Sequence, residues 1–407
     1  MIHTFFIANQ FWSIMDKPHV IVIGAGFTGV AVAYDLAKRG MDVTVLERGP
    51  IANGTSGRTH GLLHSGARYA VDDQESAIEC IDENTILRKI AAQVIEPNGG
   101  LFVGIDDSDM NYRDKFIEGC QECHIPLEEY KPEIALRLEP ELTKKIRTAI
   151  LVPDGTFDPL RLALAFAASA KFHGAKFRLF CEVTGFLFDG LGNVTGVKFS
   201  DRTKGKMEEL SADIVVSATG SWCGEVAEMA GDPNIPIRPT PGVMVTYDQR
   251  LCQRVINRLN EPGDGDIIVP QRQMITVGTT SFEADNLDYI PVTEQQVNLM
   301  YHRGCELIPS IANTRERGAF MASRPLVDSG LKGRSLARTF KCFDHKVSQN
   351  IDGLVTITGG KATTLRLMAE KTVDLVCQKL SFPAACETIE TPLISYRQYF
   401  SIPNEVN

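Results

Sequence analysis

The sequence contains no apolar stretch of the roughly 20 residues that a helix needs to span a bilayer. It also lacks internal repeats and low-complexity segments, and nothing in its composition suggests disorder. What remains is the ordinary balance of a globular protein, with 43% hydrophobic and 23% charged residues among 407. A chain of this length can bury a core large enough for a cofactor and a substrate site, and more than one domain is expected.

Basic residues are too few to suggest a nucleic-acid partner. Lys and Arg number 42 against 51 Asp and Glu, so the formal net charge is -9 at pH 7. A general attraction to nucleic acid or to anionic lipid needs a basic surface. We therefore expect no nucleic-acid partner, although a local basic patch is compatible with this charge.

The ten cysteines do not have the spacing of a small secreted disulfide framework. Reduced thiols in a reducing compartment are the simpler interpretation and predict a cytoplasmic protein. Cys120 and Cys123 form one C-x-x-C pair in a charged stretch with helical character. Since a zinc site would need a second such pair, we expect no metal site.

Residues 1–15 lack Lys, Arg and a small-residue cleavage site. They therefore fit neither a secretory signal nor a spanning helix. Because Met15 lies just before the first predicted strand, we interpret this segment as an extension or a misassigned start. A short arm that contacts the membrane is the alternative.

A βαβ unit is predicted directly after this segment. His19–Ile23 is a short β-branched apolar run, residues 30–39 carry apolar residues at helical spacing, and Gly40 stops the helix. Asp42–Glu47 is then predicted as a second strand. The right-handed crossover rule makes the two strands parallel neighbours.

The turn between the first strand and the helix predicts a dinucleotide site. Gly24, Gly26 and Gly29 form the pattern G-x-G-x-x-G, and the small Ala33 lets the helix pack closely on the sheet. The N–H groups and dipole of the helix start can hold a pyrophosphate. Glu47 follows about 20 residues on, where a carboxylate can bind the ribose hydroxyls. A mere tight turn would not explain the strand, helix and acid together, but the pattern does not separate FAD from NAD.

Further strands and helices alternate along the chain and predict an α/β fold, with a Rossmann-like domain and a mixed second domain. Strand signals occur at 196–199, 213–217, 242–246 and 354–357, and helical periodicity occurs at 160–173, with Gly174 as a stop, and at 363–380.

A loop rich in Gly, Ser and His runs from Thr55 to Ala70 and carries a family resemblance. The stretch resembles the FAD-dependent glycerol-3-phosphate dehydrogenases, most closely the A-subunit of the bacterial anaerobic enzyme, within the flavoprotein class that includes D-amino-acid oxidase. The resemblance covers nearly the whole chain from Lys17 to Leu380. It continues through residues 75–80, 152–156, 218–222, 323–326 and 358–361.

The resemblance implies a Rossmann-like FAD-binding domain with an inserted mixed α+β substrate domain. The implied boundaries are 16–84, 150–235 and 346–382 for the discontinuous FAD-binding domain, 85–149 and 236–345 for the substrate domain, and 383–407 for a C-terminal tail.

It also implies FAD bound in an extended form, with Gly24, Gly26 and Gly29 at the pyrophosphate and Glu47 at the ribose. Small residues allow backbone N–H groups to approach the cofactor closely. A solvent-facing turn is the alternative for the loop. The other implied cofactor residues are Thr55, Ser56, Ser65, Gly66 and Gly220.

Gly359, Gly360 and Lys361 stand between a predicted strand and a predicted helix. In the family this helix start points at the pyrimidine edge of the flavin, where its dipole would stabilise negative charge on the reduced ring. Lys361 would add a full positive charge and is an implied cofactor-binding and catalytic residue. An ordinary helix N-terminus with an exposed lysine is the alternative.

A phosphorylated polyol substrate requires fixed cations, and guanidinium can donate two parallel hydrogen bonds to phosphate. Arg68 and Arg324 match the substrate-side arginines of the family, with Tyr69 next to the first. Arg366 is a third candidate, although an arginine one turn into a helix is often surface charge. For Arg324 a salt bridge to a nearby acid is the alternative.

Hydride transfer from C2 of the alcohol to flavin N5 also requires loss of the hydroxyl proton. His60 and His64 both lie in the loop, and we assign the catalytic role to His64, although such histidines often hold backbone instead. Arg324 or Lys361 could stabilise the developing alkoxide electrostatically.

Two departures from the family pattern affect the expected function. No lysine precedes Gly242, and the chain stops soon after residue 400 without the cysteine-rich extension that many of the family's A-subunits use for a 2Fe-2S cluster. The resemblance implies oxidation of sn-glycerol-3-phosphate to dihydroxyacetone phosphate, with electrons passed to a partner subunit or a membrane quinone system at the inner face of the membrane. An oxidase or dehydrogenase of another hydroxy acid or amine, and a non-catalytic flavin-binding scaffold, are the alternatives.

Overall fold

The computed structural model describes residues 17–283, 287–328 and 339–404. Residues 1–15, interpreted above as an extension or misassigned start, lie outside the described residues. Six strands form one sheet: β1 His19–Ile23, β2 Asp42–Glu47, β9 Lys176–Leu179, β13 Ile214–Ser217, β19 Phe340–Asp344 and β20 Leu354–Gly359. Their order is β19-β20-β13-β1-β2-β9, and neighbours are parallel except for β19 against β20.

The predicted βαβ unit is confirmed. Val20 pairs with Val43 in parallel register, and helix α1, Phe27–Lys38, lies between the two strands in the chain. The helix begins three residues earlier than the apolar spacing indicated, because Gly26 supplies its N-cap and the glycine turn runs directly into it. Gly40 follows the helix end with φ +96°, a conformation that glycine adopts without strain.

The second large sheet contains both parallel and antiparallel strand pairs. In the described part of the chain its eight strands are β5 Gly100–Gly104, β6 Glu128–Tyr130, β7 Thr148–Val152, β14 Ile237–Tyr247, β15 Val255–Arg258, β16 Ile267–Gln271, β17 Met274–Gly278 and β18 Glu316–Val327. They follow the order β18-β14-β17-β16-β15-β5-β7-β6, and their mixed pairing makes this sheet the α+β part of the predicted fold class.

Smaller elements complete the architecture. An antiparallel sheet consists of β10 Cys181–Phe188, β11 Val194–Asp201 and β12 Lys206–Ser211, and β8 Gly155–Phe157 pairs with β3 Leu62–Leu63 and β4 Ile95–Glu96. Within the described ranges the other α-helices are α2 Gln74–Ile90, α3 Asp107–Glu122, α4 Pro132–Leu138, α5 Pro159–Phe172, α6 Cys223–Met229, α7 Glu294–Leu307, α8 His345–Gln349 and α9 Leu365–Lys379.

The domain boundaries expected from the sequence stay a prediction, and two strands of the large sheets depart from them. Strand β19 pairs in the six-stranded sheet although its residues fall within the range 236–345 expected for the substrate domain. Strand β7 pairs in the eight-stranded sheet and crosses the expected boundary at residue 150. The hydrogen-bonded pairing of these two strands therefore does not stop at the expected domain boundaries.

The main core lies between the six-stranded sheet and three helices. Helix α1 packs against α5 and α9, and alanines such as Ala33 and Ala167 are fully buried where the helices meet the sheet. The opposite face of the sheet is covered by β10–β12, whose Phe199 packs with Ile21. Both faces are therefore apolar, as expected for a sheet with parallel central strands.

The C-x-x-C pair belongs to a core. Cys120 lies in α3 and Cys123 follows the helix, both thiols are buried, and burial raises the pKa of Cys120 to about 12. No group of potential metal ligands occurs among the residues that the structure describes. No helix in the same ranges combines the length and apolar character that crossing a bilayer requires.

Replacing Ala33 with Leu should lower the free energy of unfolding by about 1–3 kcal/mol, because added methyl groups must displace closely packed backbone. Urea unfolding measures the loss. Lys89→Leu, on the exposed side of helix α2, serves as the control and should change stability by no more than about 0.5 kcal/mol. Equal effects of the two substitutions would contradict close packing at Ala33.

Candidate functional site

A cavity of about 1260 Å³ opens at the carboxyl ends of the parallel strands, between the two large sheets. Ligands of open α/β sheets bind at this edge, where loops leave the strands. Residues from both sheets line the wall. Among them are Gly24, Gly26, Glu47, Thr55, Ser56, His60, His64, Arg68, Tyr69, Gly220, Arg324, Gly359, Gly360 and Lys361.

The glycine turn leaves the helix start open to a ligand. Gly24 has φ +100°, and a Cβ there would lie 2.8 Å from the carbonyl oxygen of Ala218. A Cβ on Gly29 would overlap the carbonyl of Gly24, so the third glycine is needed for close packing of turn and helix. Ser56 accepts a hydrogen bond from the Phe27 N–H at 2.8 Å, which places its hydroxyl at the first turn of α1.

Glu47 is held rigidly at the end of β2. Its two carboxylate oxygens each accept a backbone hydrogen bond at 2.8 Å, one from Ala25 in the glycine turn and one from Gly49. Each oxygen still has acceptor capacity for a further donor. Because the residue also lines the cavity, the carboxylate is positioned to receive ribose hydroxyls.

Two hydroxyl groups connect the cofactor side of the cavity to the second sheet. Thr55 and Ser221 donate hydrogen bonds of 2.6 and 2.9 Å to the same carbonyl oxygen, that of Ser323 in β18. Gly220 precedes Ser221 with φ +58° and lines the cavity. These bonds fix the distance between the strand β18 and the turn after β2.

Ser65 and Gly66, predicted to contact the cofactor, do not line the cavity. Ser65 is fully buried, and its backbone N–H donates to Asp154 at 2.7 Å. Gly66 has φ +94°, and a Cβ there would overlap the carbonyl of Ala77. The backbone turns at these two residues. Their neighbours His64 and Arg68 line the cavity, whereas Ser65 and Gly66 do not.

The second glycine turn also matches the prediction. Gly359 ends β20 with φ +88°, Gly360 follows it with φ +68°, and a tight helical turn, Ala362–Thr364, leads directly into α9. The ammonium nitrogen of Lys361 lies 5.0 Å from the ring centroid of Tyr69. The helix start, the lysine and the aromatic ring therefore share one part of the cavity wall.

Arg324 lies in β18 directly opposite Thr240 of β14. Its guanidinium donates hydrogen bonds to the carbonyl oxygens of Thr240, at 3.1 Å, and Thr280, at 3.0 Å, and to the hydroxyl of Thr279 at 3.0 Å. These neutral oxygens hold the guanidinium in a fixed orientation in the cavity wall. The guanidinium also donates to the carbonyl oxygen of Pro241 at 3.3 Å, just before Gly242, where the family lysine is lacking.

Arg68 presents a second guanidinium to the cavity. One of its terminal nitrogens donates to Asp266 at 3.1 Å, and the other, Nη1, is buried with no hydrogen-bond partner among the described residues. An unpaired buried donor is costly unless a ligand satisfies it. Asp266 itself was not identifiable from sequence, since it lies about 200 residues away in a loop without a motif.

His64 and Tyr69 form an aromatic pair in the cavity wall. Their ring centroids are 5.2 Å apart, and the Tyr69 hydroxyl lies 3.4 Å from Nε2 of His64. The backbone N–H of His64 donates to the hydroxyl of Thr363 at 3.1 Å, which ties the loop to the turn before α9. The histidine is therefore placed beside the glycine turn and Lys361.

Arg366 does not belong to this group of cations, contrary to the sequence prediction. It is 2% exposed and does not line the cavity; its Nε lies 3.1 and 3.0 Å from the carboxylate oxygens of Glu83, and it also contacts Glu370 and Thr388. The helical phase of α9 directs this side chain toward α2. The arginine is thus part of a buried ion pair between two helices.

Sequence reasoning gave no role to the cluster at the cavity rim. The guanidinium of Arg48 lies 4.4 Å from the ring centroid of Trp222, and the side chain of Asp288 accepts hydrogen bonds from both residues at 3.2 Å. All three line the cavity. Trp222 belongs to the 218–222 motif and could have been singled out from the sequence. Its partners Arg48 and Asp288 are distant from it in sequence and could not.

The class of protein follows from comparison with known families. The family described as FAD dependent oxidoreductase matches residues 19–373, and the chain belongs to it. FAD is therefore the cofactor for which the cavity is built. The residues fit this group, because the glycine turn, the Glu47 carboxylate and the second glycine turn lie along one continuous cavity.

Among the curated relatives, the chain is similar to the A1-subunit of the anaerobic glycerol-3-phosphate dehydrogenase of Haloferax volcanii. The two are 44% identical over an alignment of 390 residues, and the match covers 93% of this chain and 66% of the relative. The A-subunit of the same enzyme in Escherichia coli K12 is 41% identical over 396 residues, covering 94% of this chain and 73% of that protein. The chain thus spans about two thirds to three quarters of the length of these relatives.

Solved structures confirm the fold. Glycerol-3-phosphate dehydrogenase from Bacillus halodurans, complexed with FAD, gives a TM-score of 0.72 at 24% identity, over 95% of this chain and 70% of that chain. Glycine oxidase from Geobacillus kaustophilus gives 0.72 at 19% identity, over 93% of this chain and 99% of that chain. At these identities the likeness establishes the architecture and leaves the substrate to other arguments.

Gly24→Ala should abolish tight FAD binding, because the new methyl group would collide with the Ala218 carbonyl and distort the turn. Gly174→Ala is a matched control: its φ of +98° imposes the same backbone strain, but nothing lies within 4 Å of the added carbon. The flavin absorbance per protein after purification is the measurement. Equal flavin content in the two variants would contradict the assignment of the turn.

Arg366→Met should lower the free energy of unfolding by about 3–5 kcal/mol, since Glu83 would keep a buried carboxylate without its partner. Adding Glu83→Leu should recover much of that loss, as measured by urea unfolding of the FAD-loaded protein. If Arg366→Met weakened substrate binding and left the free energy of unfolding unchanged, Arg366 would instead be a substrate-binding residue.

Proposed function

We propose that the protein oxidises sn-glycerol-3-phosphate to dihydroxyacetone phosphate, with FAD as hydride acceptor. The observation that carries the proposal is the convergence of Arg68 and Arg324 on the cavity that also contains both glycine turns. Guanidinium groups at fixed positions suit a phosphorylated substrate. The names of the curated relatives, at 41–44% identity, support the same reaction.

The cofactor contacts follow from the cavity wall. Gly24, Gly26 and the first turn of α1 would hold the pyrophosphate, and Glu47 would bind the ribose. Gly359 and Gly360 would bring backbone N–H groups to the flavin. When bound, FAD supplies the two-electron acceptor for the hydride that leaves C2 of the substrate. Thr55, Ser56, Gly220 and Lys361 complete the proposed set.

The substrate phosphate would lie between Arg68 and Arg324. Nη1 of Arg68 lacks a partner among the described residues, and a phosphate oxygen would satisfy it. Carbonyl oxygens of Thr240 and Thr280 orient Arg324, which lines the same cavity as Arg68, so both guanidinium groups would meet one anionic ligand. Tyr69, which contacts both His64 and Lys361, would shape the neighbouring wall.

The C2 hydroxyl must lose its proton as the hydride leaves. His64 is the proposed acceptor, because it lines the cavity beside Tyr69 and Lys361. Lys361 beside the same ring would stabilise negative charge on the substrate oxygen. Arg324 would share in this electrostatic role.

Reoxidation would require a partner. The relatives are named as subunits of an enzyme, which favours an electron-accepting partner protein. A membrane quinone system is the proposed final acceptor. Rapid peroxide formation by the isolated protein would instead favour an oxidase.

Anaerobic mixing of the FAD-loaded protein with sn-glycerol-3-phosphate should bleach the flavin absorbance within seconds, whereas unphosphorylated glycerol should leave it oxidised. Arg324→Lys should raise the half-saturating concentration by about tenfold or more, since a single ammonium cannot replace the guanidinium fork. Arg315→Lys, at the exposed residue just before the same strand, is the control. Flavin that stays oxidised at every substrate concentration would refute the proposed reaction.

A further inference from the structure

His60 lies in the cavity wall, yet the proposed reaction leaves it without a role. It stands at the end of the loop that precedes β3, and it shares the wall with Arg68 and Arg324. The side-chain amide of Gln271 donates to the carbonyl oxygens of His60 and Gly61, at 3.1 and 3.4 Å. The backbone at this position is therefore fixed from the second sheet.

The hydrogen bonding of the ring defines its tautomer. Nδ1 of His60 accepts a hydrogen bond from the backbone N–H of Leu62 at 3.2 Å. A backbone N–H can only donate, so Nδ1 carries no proton, and the neutral ring carries its proton on Nε2. Nε2 has no hydrogen-bond partner among the described residues, so the ring offers an N–H donor.

Electrostatics keep this ring neutral. Burial, followed by the charges of Arg324 and Arg68, lowers the pKa of His60 to about 4. At neutral pH the ring therefore offers a donor without adding a third positive charge beside the two guanidinium groups. With Nε2 already protonated and Nδ1 occupied by the backbone, His60 is unsuited to accept the proton of the substrate hydroxyl.

We propose that His60 is a substrate-specificity residue, which donates a hydrogen bond from Nε2 to an oxygen of the substrate phosphate between Arg68 and Arg324. A phosphate oxygen is a pure acceptor and matches a pure donor, whereas the reacting hydroxyl needs an acceptor for its proton. This assignment rests on the proposed function. It separates the two loop histidines, with His60 binding the phosphate and His64 serving the reacting hydroxyl.

Two substitutions of His60 distinguish the contribution of Nδ1 from that of Nε2. His60→Asn places an amide oxygen where Nδ1 accepts from Leu62 but provides nothing at Nε2. His60→Gln extends further and can place an amide N–H near the position of Nε2. Flavin content and far-UV circular dichroism establish that both variants are folded and loaded with FAD.

Rapid anaerobic mixing with sn-glycerol-3-phosphate gives an apparent dissociation constant and a limiting rate of flavin reduction for each variant. We expect His60→Asn to raise the dissociation constant by about tenfold or more with little change in the limiting rate, because a hydrogen bond to a charged group is lost. His60→Gln should stay close to the unmodified protein. An unchanged dissociation constant in His60→Asn would overturn the proposal, and so would a loss confined to the limiting rate.

Titration with inorganic phosphate, followed by the flavin spectrum, tests the inference apart from turnover. Phosphate should perturb the spectrum of the unmodified protein and of His60→Gln, and only at higher concentration that of His60→Asn. The three proteins could show this order of phosphate binding while sn-glycerol-3-phosphate fails to bleach the flavin. That result would refute the proposed reaction and would still support a phosphate site at His60. Equal phosphate binding by all three proteins, or none by the unmodified protein, would reject the role of His60.

Discussion

The two hydrogen bonds that converge on the carbonyl of Ser323 hold the site together. Thr55 comes from the loop after β2 and Ser221 from the turn after β13, so both belong to the six-stranded sheet side. Ser323 belongs to β18 of the other sheet, immediately before Arg324. The position of the substrate-side guanidinium relative to the cofactor turn is thus fixed by bonds made one residue away.

Charge is distributed in two different ways in this molecule. In the core, Arg39 pairs with Asp35 at 2.7 Å and Arg366 pairs with Glu83, and such buried pairs contribute little net stability but are costly to break. At the cavity, neutral oxygens orient Arg324. Position, and not the type of partner, separates the two groups: Arg68 is paired with the buried Asp266 and still lines the cavity, as Arg324 does, whereas Arg366 does not line it.

Gly24 and Glu47, which line the cavity, lie where chain continuity fixes the geometry. Gly24 and Glu47 follow from a strand, turn, helix and strand joined within about 30 residues, and the crossover rule leaves one arrangement. The predictions for Arg366 and Ser65 were wrong because a motif identifies a segment but not which side of it faces the cavity. Asp266 had no signal at all, since its contact with Arg68 is made across the fold.

Local periodicity and the spacing of the glycines predicted the α/β class and the dinucleotide turn from the amino-acid sequence alone, and the resemblance of the motifs along the chain indicated the family. Which polar residues face the cavity was settled by the folded chain. Side-chain direction depends on helix phase and on pairing between distant strands, as for Arg324 opposite Thr240. The tautomer of His60 is likewise set by one backbone N–H, a choice that composition and spacing do not encode.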